Sequence, residues 1–243
     1  MASTSETGHA KNVANFQDLI EFVTAYGATY NPTKNSLKLP QLIALKTAAD
    51  SNLADVITKN TAFNNKVNER ITAFSGLKTL STRLVNALQT TNATPETVGN
   101  AKTFNRKLQG KKASATQTPT DPNTPAPNTI SASQQSYDQL IQHFTGLKEV
   151  LKAETSYTPN ENDLKITTIQ AKITDLTAKN TAVATAYANV SNSRIARNAT
   201  LYSKTAGLTE TANEVKKYIK SVYGATSPQF AQVKGIQFKK TAK

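Results

Sequence analysis

The residues that could do chemistry in this 243-residue chain are two histidines, a few carboxylate pairs and two runs of basic side chains. Zinc binding needs two histidines at helical spacing or cysteine ligands. The chain has 0 Cys, and its 2 His, His9 and His143, lie far apart in sequence, so a conventional zinc site is not expected. His9 falls in the segment 1–14, read as a frayed tail, and His143 is read as a partly exposed helix residue whose counterpart in the first half is Phe22. Asp18 with Glu21 and Glu161 with Asp163 sit at helix starts or on solvated faces, where acids complement the helix dipole without catalytic duty. The 9 glycines form no phosphate-cradling Gly-x-x-x-x-Gly-Lys or Gly-x-Gly-x-x-Gly loop, and no Gly-x-Ser-x-Gly elbow occurs. The expectation is therefore no enzyme, no catalytic residues, no metal and no cofactor.

The basic side chains are the informative feature. The chain carries 29 Lys+Arg against 16 Asp+Glu, a net charge of +13, which favours anionic partners such as nucleic acid, acidic protein or an anionic surface. Lys102, Arg106, Lys107, Lys111 and Lys112 close the first half with no acid among them. Lys216, Lys217, Lys220, Lys234, Lys239, Lys240 and Lys243 close the second half, again with no acid after Glu214. Phe104, Tyr218, Tyr223, Phe230 and Phe238 are interleaved with these cations. Cations with aromatics can neutralise phosphates and stack bases. The same aromatics, at helical spacing among apolar neighbours, also read as core residues beside a solvated lysine face. The polyanion-binding candidates are therefore the lysines and the arginine named above up to Lys240.

The elements that must position these residues occur twice. Asn15-Phe16-Gln17-Asp18-Leu19-Ile20 matches Ser136-Tyr137-Asp138-Gln139-Leu140-Ile141, and Tyr30-Asn31-Pro32 matches Tyr157-Thr158-Pro159. Leu37-Lys38-Leu39 matches Leu164-Lys165-Ile166, Phe74-Ser75 matches Tyr202-Ser203, and Thr94-Pro95 matches Ser227-Pro228, all in one order. The expected domains are a flexible N-terminal tail 1–14, a first helical repeat 15–112, a Pro/Thr-rich linker 113–130, a second repeat 131–238 and a basic tail 239–243. Pro119, Pro122, Pro125 and Pro127 give the linker a stiff, extended character.

Each copy opens with an amphipathic helix, carrying Val13, Phe16, Leu19, Ile20 and Val23 or Leu140, Ile141, Phe144, Leu147 and Leu151. A long helix of about 35 residues and about 50 Å follows the proline turn. Its apolar positions are Leu42, Leu45, Ala49, Leu53, Val56, Phe63 and Val67 in one copy. In the other they are Ile166, Ile169, Ile173, Leu176, Val183, Tyr187 and Val190. Asn60 and Asn180 fall on these seams, where a lone Asn either fixes register or sits hydrated at the edge. A third helix and a short one opened by Thr94-Pro95 or Ser227-Pro228 complete each copy. The expected fold is all-α: two tandem copies of an elongated three- to four-helix bundle.

The segments 64–70, 192–198 and 215–238, including Ser221-Val222-Tyr223-Gly224-Ala225, resemble a set of duplicated all-helical proteins of Bacteroidetes-type bacteria for which no activity is established. The resemblance implies the duplicated helical fold over nearly the whole chain and transfers no functional residue.

No apolar run approaches the length of a membrane-spanning helix, and 1–14 lacks the apolar core of a signal peptide. The expected location is the cytoplasm, with export without a cleaved signal as the alternative. The expected function is a non-enzymatic structural or interaction scaffold that associates with protein or with itself. The alternative is a protein that binds nucleic acid without reading its sequence.

Overall fold

The three-four spacing of apolar residues sets the helices, and capping residues set their ends. A computed structural model describes residues 4–110 and 135–239, so the linker 113–130 and the candidates Lys111, Lys112 and Lys240 lie outside the described residues. Eight α-helices and three short 3-10 turns are present, and no strand occurs among the described residues. The helices are α1 (Thr4–Ala25), α2 (Leu39–Phe74), α3 (Leu77–Gln89), α4 (Pro95–Gln109), α5 (Tyr137–Ala153), α6 (Ile166–Tyr202), α7 (Leu208–Tyr223) and α8 (Pro228–Lys234). The long helices α2 and α6 run for 36 and 37 residues, close to the length expected from the seam.

The caps follow sequence chemistry. Thr94, Ser136 and Ser227 each sit in extended backbone and accept a hydrogen bond on the side-chain oxygen from the amide three residues on, at the starts of α4, α5 and α8. Pro95 and Pro228 occupy the first helical position, where a missing N–H costs nothing. Gly110 closes α4 at φ +74, a left-handed conformation that a side chain would strain. The prolyl turns after α1 and α5 are each fixed from inside: the Tyr30 hydroxyl donates to the Leu37 carbonyl at 2.7 Å, and the Tyr157 hydroxyl donates to the Leu164 carbonyl at 2.9 Å.

The chain forms two compact units whose boundaries fall inside α2 and α6: unit 1 holds residues 1–63 and 186–243, and unit 2 holds 64–185. In unit 1 the stripe of α1 (Val13, Phe16, Leu19, Ile20, Val23) is buried against Leu42 and Ala49 of α2, Leu201 of α6, Leu208, Ala212, Val215 and Ile219 of α7, and Val233 of α8. In unit 2 the stripe of α5 (Phe144, Leu147, Leu151) packs with Phe74, Leu77, Leu84, Leu88, Ala101 and Leu108, and with Ile169, Ile173 and Leu176 of α6. Gly146 on α5 lies so close to Phe104 on α4 that an added Cβ would stand 2.3 Å from the ring.

These units differ from the tandem repeats 15–112 and 131–238 expected from the matched segments. α1 contacts α7 and α8 of the second half, and α5 contacts α3 and α4 of the first. The apolar stripe of a helix records that something covers it, not which helix does so.

The N-terminal segment also differs from expectation. Helix α1 begins at Thr4, so residues 4–14 are helical rather than a tail, and His9, Asn12 and Val13 are buried. The Asn12 amide clamps the far end of the chain, donating to the Lys239 carbonyl at 2.7 Å and accepting from its N–H at 3.0 Å, while Asn15 donates to the Gln237 carbonyl at 2.7 Å. Lys239 is therefore held by its backbone rather than free in a basic tail. On α6 the seam passes through Ala186, which is buried, while Tyr187 points out at 62% exposure. Asn180 accepts from Arg70 Nη1 at 2.9 Å and donates to Asp138 at 2.7 Å.

Candidate anion-binding groove

In α7, Leu208, Ala212, Val215 and Ile219 face the core of unit 1, which leaves Asn213, Lys216, Lys217 and Lys220 on the opposite side at spacings of three, four and seven. The chain leaves α7 through Gly224 at φ +93, turns, and starts α8 at the Ser227 cap, whose Oγ accepts from the Phe230 amide at 3.1 Å. Burial of Val233 and partial burial of Phe230 lay α8 against α7. The result is an open groove of about 450 Å³ lined by Glu210, Asn213, Lys216, Lys217, Lys220, Phe230 and Lys234. Four lysines thus line one groove together with one acidic residue, Glu210.

The four lysines are not equivalent. Lys216 is half-buried, its Nζ donates to the Ile236 carbonyl and lies 5.3 Å from the centre of the Phe238 ring, and burial pushes its pKa down. Lys220 Nζ lies 5.8 Å from the Phe230 ring centre. Lys217 and Lys234 are exposed. Glu214, the next acid on α7, is occupied by Lys34, with N–O distances of 2.7 and 2.6 Å. A lysine ammonium is a compact charge with rotatable donors, suited to phosphate oxygens but not to planar readout of a base.

The remaining candidates are placed elsewhere. Lys102 and Arg106 are exposed one turn apart on α4 in unit 2, and Lys107 Nζ lies 5.7 Å from the Phe104 ring centre. Lys239 lines a different cleft in unit 1, together with Lys11, Asn12, Asn15 and Asp18. The aromatic residues interleaved with the cations serve packing. Tyr218 meets Tyr30 edge-on at 5.2 Å, Tyr223 meets Tyr26 at 5.4 Å, and Phe238 meets Phe16 at 6.4 Å. Among these aromatics, Phe230 lines the lysine groove.

Both histidines are more buried than the sequence reading had them, although His143 does lie on α5 as expected. His9 is buried, and its Nδ1 shares a hydrogen bond of 2.6 Å with the Tyr202 hydroxyl, which also accepts from Asn12 at 3.2 Å. His143 is 6% exposed rather than partly exposed, its Nε2 has no hydrogen-bond partner, and burial and then the nearby Lys107 charge push its pKa down. Among the described residues, no three His, Cys, Asp or Glu side chains converge as a metal-binding group, and no helix is long and apolar enough to cross a membrane. Sequence reasoning missed Glu210 and Asn213 in the groove. Asn213 could have been found, because it falls on the same helical face as Lys216, Lys217 and Lys220. Compared with protein-family models, curated proteins and solved structures, the chain matches none of them.

Proposed function

We propose that this chain is a non-enzymatic interaction protein, built from two copies of one helical unit, that holds a phosphate-bearing polyanion such as nucleic acid in the α7–α8 groove. The observation that carries this reading is the convergence of Lys216, Lys217, Lys220 and Lys234 on one groove with a single carboxylate, Glu210. Like charges gathered on one face repel one another, and an anion bound among them offsets that repulsion. Phosphate contacts from lysine hold a strand in place without distinguishing sequences. The duplication is supported by the equivalent turns, in which Tyr30 reaches Leu37 and Tyr157 reaches Leu164 across the same seven residues.

Binding of labelled duplex DNA and structured RNA, followed by anisotropy across a salt series, tests the groove. Replacing Lys216, Lys217, Lys220 and Lys234 with Gln should weaken binding of all sequences alike and lower the salt slope by about one unit per lost phosphate contact. Gln retains helix propensity, so circular dichroism should be unchanged. The same exchange at Lys102, Arg106 and Lys107 reports whether α4 contributes. Absence of salt-sensitive binding in the wild type at physiological ionic strength overturns the reading.

A second reading, a self-assembling scaffold, is favoured by apolar side chains left exposed in unit 1: Ile43 and Ile57 on α2, at 48% and 68%, and Tyr187 and Ile195 on α6. Light scattering that rises with concentration, insensitive to salt and to the lysine exchanges, would support it.

A further inference from the structure

Lys34 directly precedes the 3-10 turn Asn35–Leu37, and Glu161 directly precedes the turn Asn162–Leu164. Helices α3 and α7 each begin with Leu directly after a glycine N-cap, Gly76 and Gly207, and Arg83 and Glu214 each stand seven residues beyond that glycine. The turn 35–37 packs on α7 and the turn 162–164 packs on α3. Each of these contacts carries one ion pair, and the two have opposite polarity. In unit 1 the cation is on the turn and the anion on the helix: Lys34 Nζ lies 2.6 Å from Glu214. In unit 2 the anion is on the turn and the cation on the helix: Asp163 pairs with Arg83, with Glu161 also on that turn.

We propose that these reversed ion pairs are specificity determinants of half-to-half recognition: they favour pairing of residues 4–110 with 135–239 and oppose pairing of either half with the same half of a second copy of the chain. The inference rests on the duplication reading. Duplicated halves share their apolar stripes, so burial alone discriminates poorly between a partner half and a copy of the same half. Charge discriminates between them. With the first half paired to another first half, Lys34 would face Arg83. With two second halves paired, Glu161 and Asp163 would face Glu214. Exposed ion pairs add little attraction, but specificity is the difference between the attractive and the repulsive arrangements, and both contacts enter it with the same sign.

The experiment uses the full chain carrying Lys34→Glu together with Asp163→Lys. Both contacts within the chain then bring like charges together, whereas pairing of like halves between two copies brings opposite charges together. The wild type is expected at the mass of one chain by light scattering. The double variant is expected to double that mass at low ionic strength and to return to one chain at about 1 M salt, where the Debye length shrinks to about 3 Å. Adding Glu214→Lys and Arg83→Glu restores opposite charges within the chain and should restore the mass of one chain.

A double variant with the wild-type mass and denaturant midpoint overturns the proposal. So does a double variant that loses stability and regains it in the fourfold variant while staying at one chain throughout; that pattern also indicates that the halves are not interchangeable and counts against the duplication. If the double variant does not fold at low ionic strength, it is folded at about 1 M salt and then brought to low salt: a doubled mass supports the proposal, and a single chain or loss of the fold overturns it.

Discussion

His143 lies on the inner side of α5 with Nε2 unpartnered, beside a core of Phe144 and Leu147 and near the Lys107 charge. Its pKa is lowered, first by burial and then by Lys107. The unfolded chain therefore binds a proton more readily than the folded one. The stability this confers is present above the unfolded pKa of about 6.5 and is lost as pH falls through the lower folded value. The melting temperature should drop as pH falls below about 6.5, and His143→Phe should flatten that drop. Phe suits the site because the matching position of α1 holds Phe22, half-buried against the unit 1 core. A variant with the same acid profile as the wild type would place the sensitivity elsewhere. Glu69 does not compete in this range, since hydrogen bonds from Lys66 and Lys179 hold it down to about 2.

At the scale of elements, the contact between α4 and α5 depends on the absence of a side chain at Gly146, which faces the ring of Phe104. Gly146→Ala would raise helix propensity by about 1 kcal/mol, yet its Cβ would fall inside the ring's contact radius. Overpacking costs about 1–3 kcal/mol, so the net effect should be a loss of up to about 2 kcal/mol in a denaturant titration. Combining it with Phe104→Leu should recover part of that loss, because the smaller side chain vacates the space the methyl needs. Additive losses in the pair would mean that the two helices do not meet through these residues. The long seam helices follow a similar logic of local complementarity: Asn180 holds both Arg70 and Asp138, so its polarity is used rather than merely tolerated.

For the whole molecule, the composition of the two units changes what a cut chain should do. Each unit contains residues from both halves, including cross-half contacts such as Asn12 with Lys239, Lys34 with Glu214 and Arg83 with Asp163. A chain nicked by protease within 113–130 should therefore elute as one particle under native conditions and separate into two fragments only in denaturant. Release of two folded fragments without denaturant would show that each half closes its own core.

The sequence by itself determined the helices. The three-four spacing of Val13, Phe16, Leu19, Ile20 and Val23 requires one buried face, the hydroxyl-proline pairs at 94–95 and 227–228 start helices, and the glycine after Tyr223 ends one. It also showed where lysines cluster, because helical spacing alone puts Lys216, Lys217 and Lys220 on one side of α7. Only the tertiary structure decided which stripe covers which. The free energy of burying α1 depends on the apolar area its partner supplies, and α3 or α7 would supply similar areas, so the stripe carries no address. The same degeneracy hid the burial of His9 and His143 and the gathering of Lys234 with the lysines of α7, since each depends on contacts between residues distant in sequence.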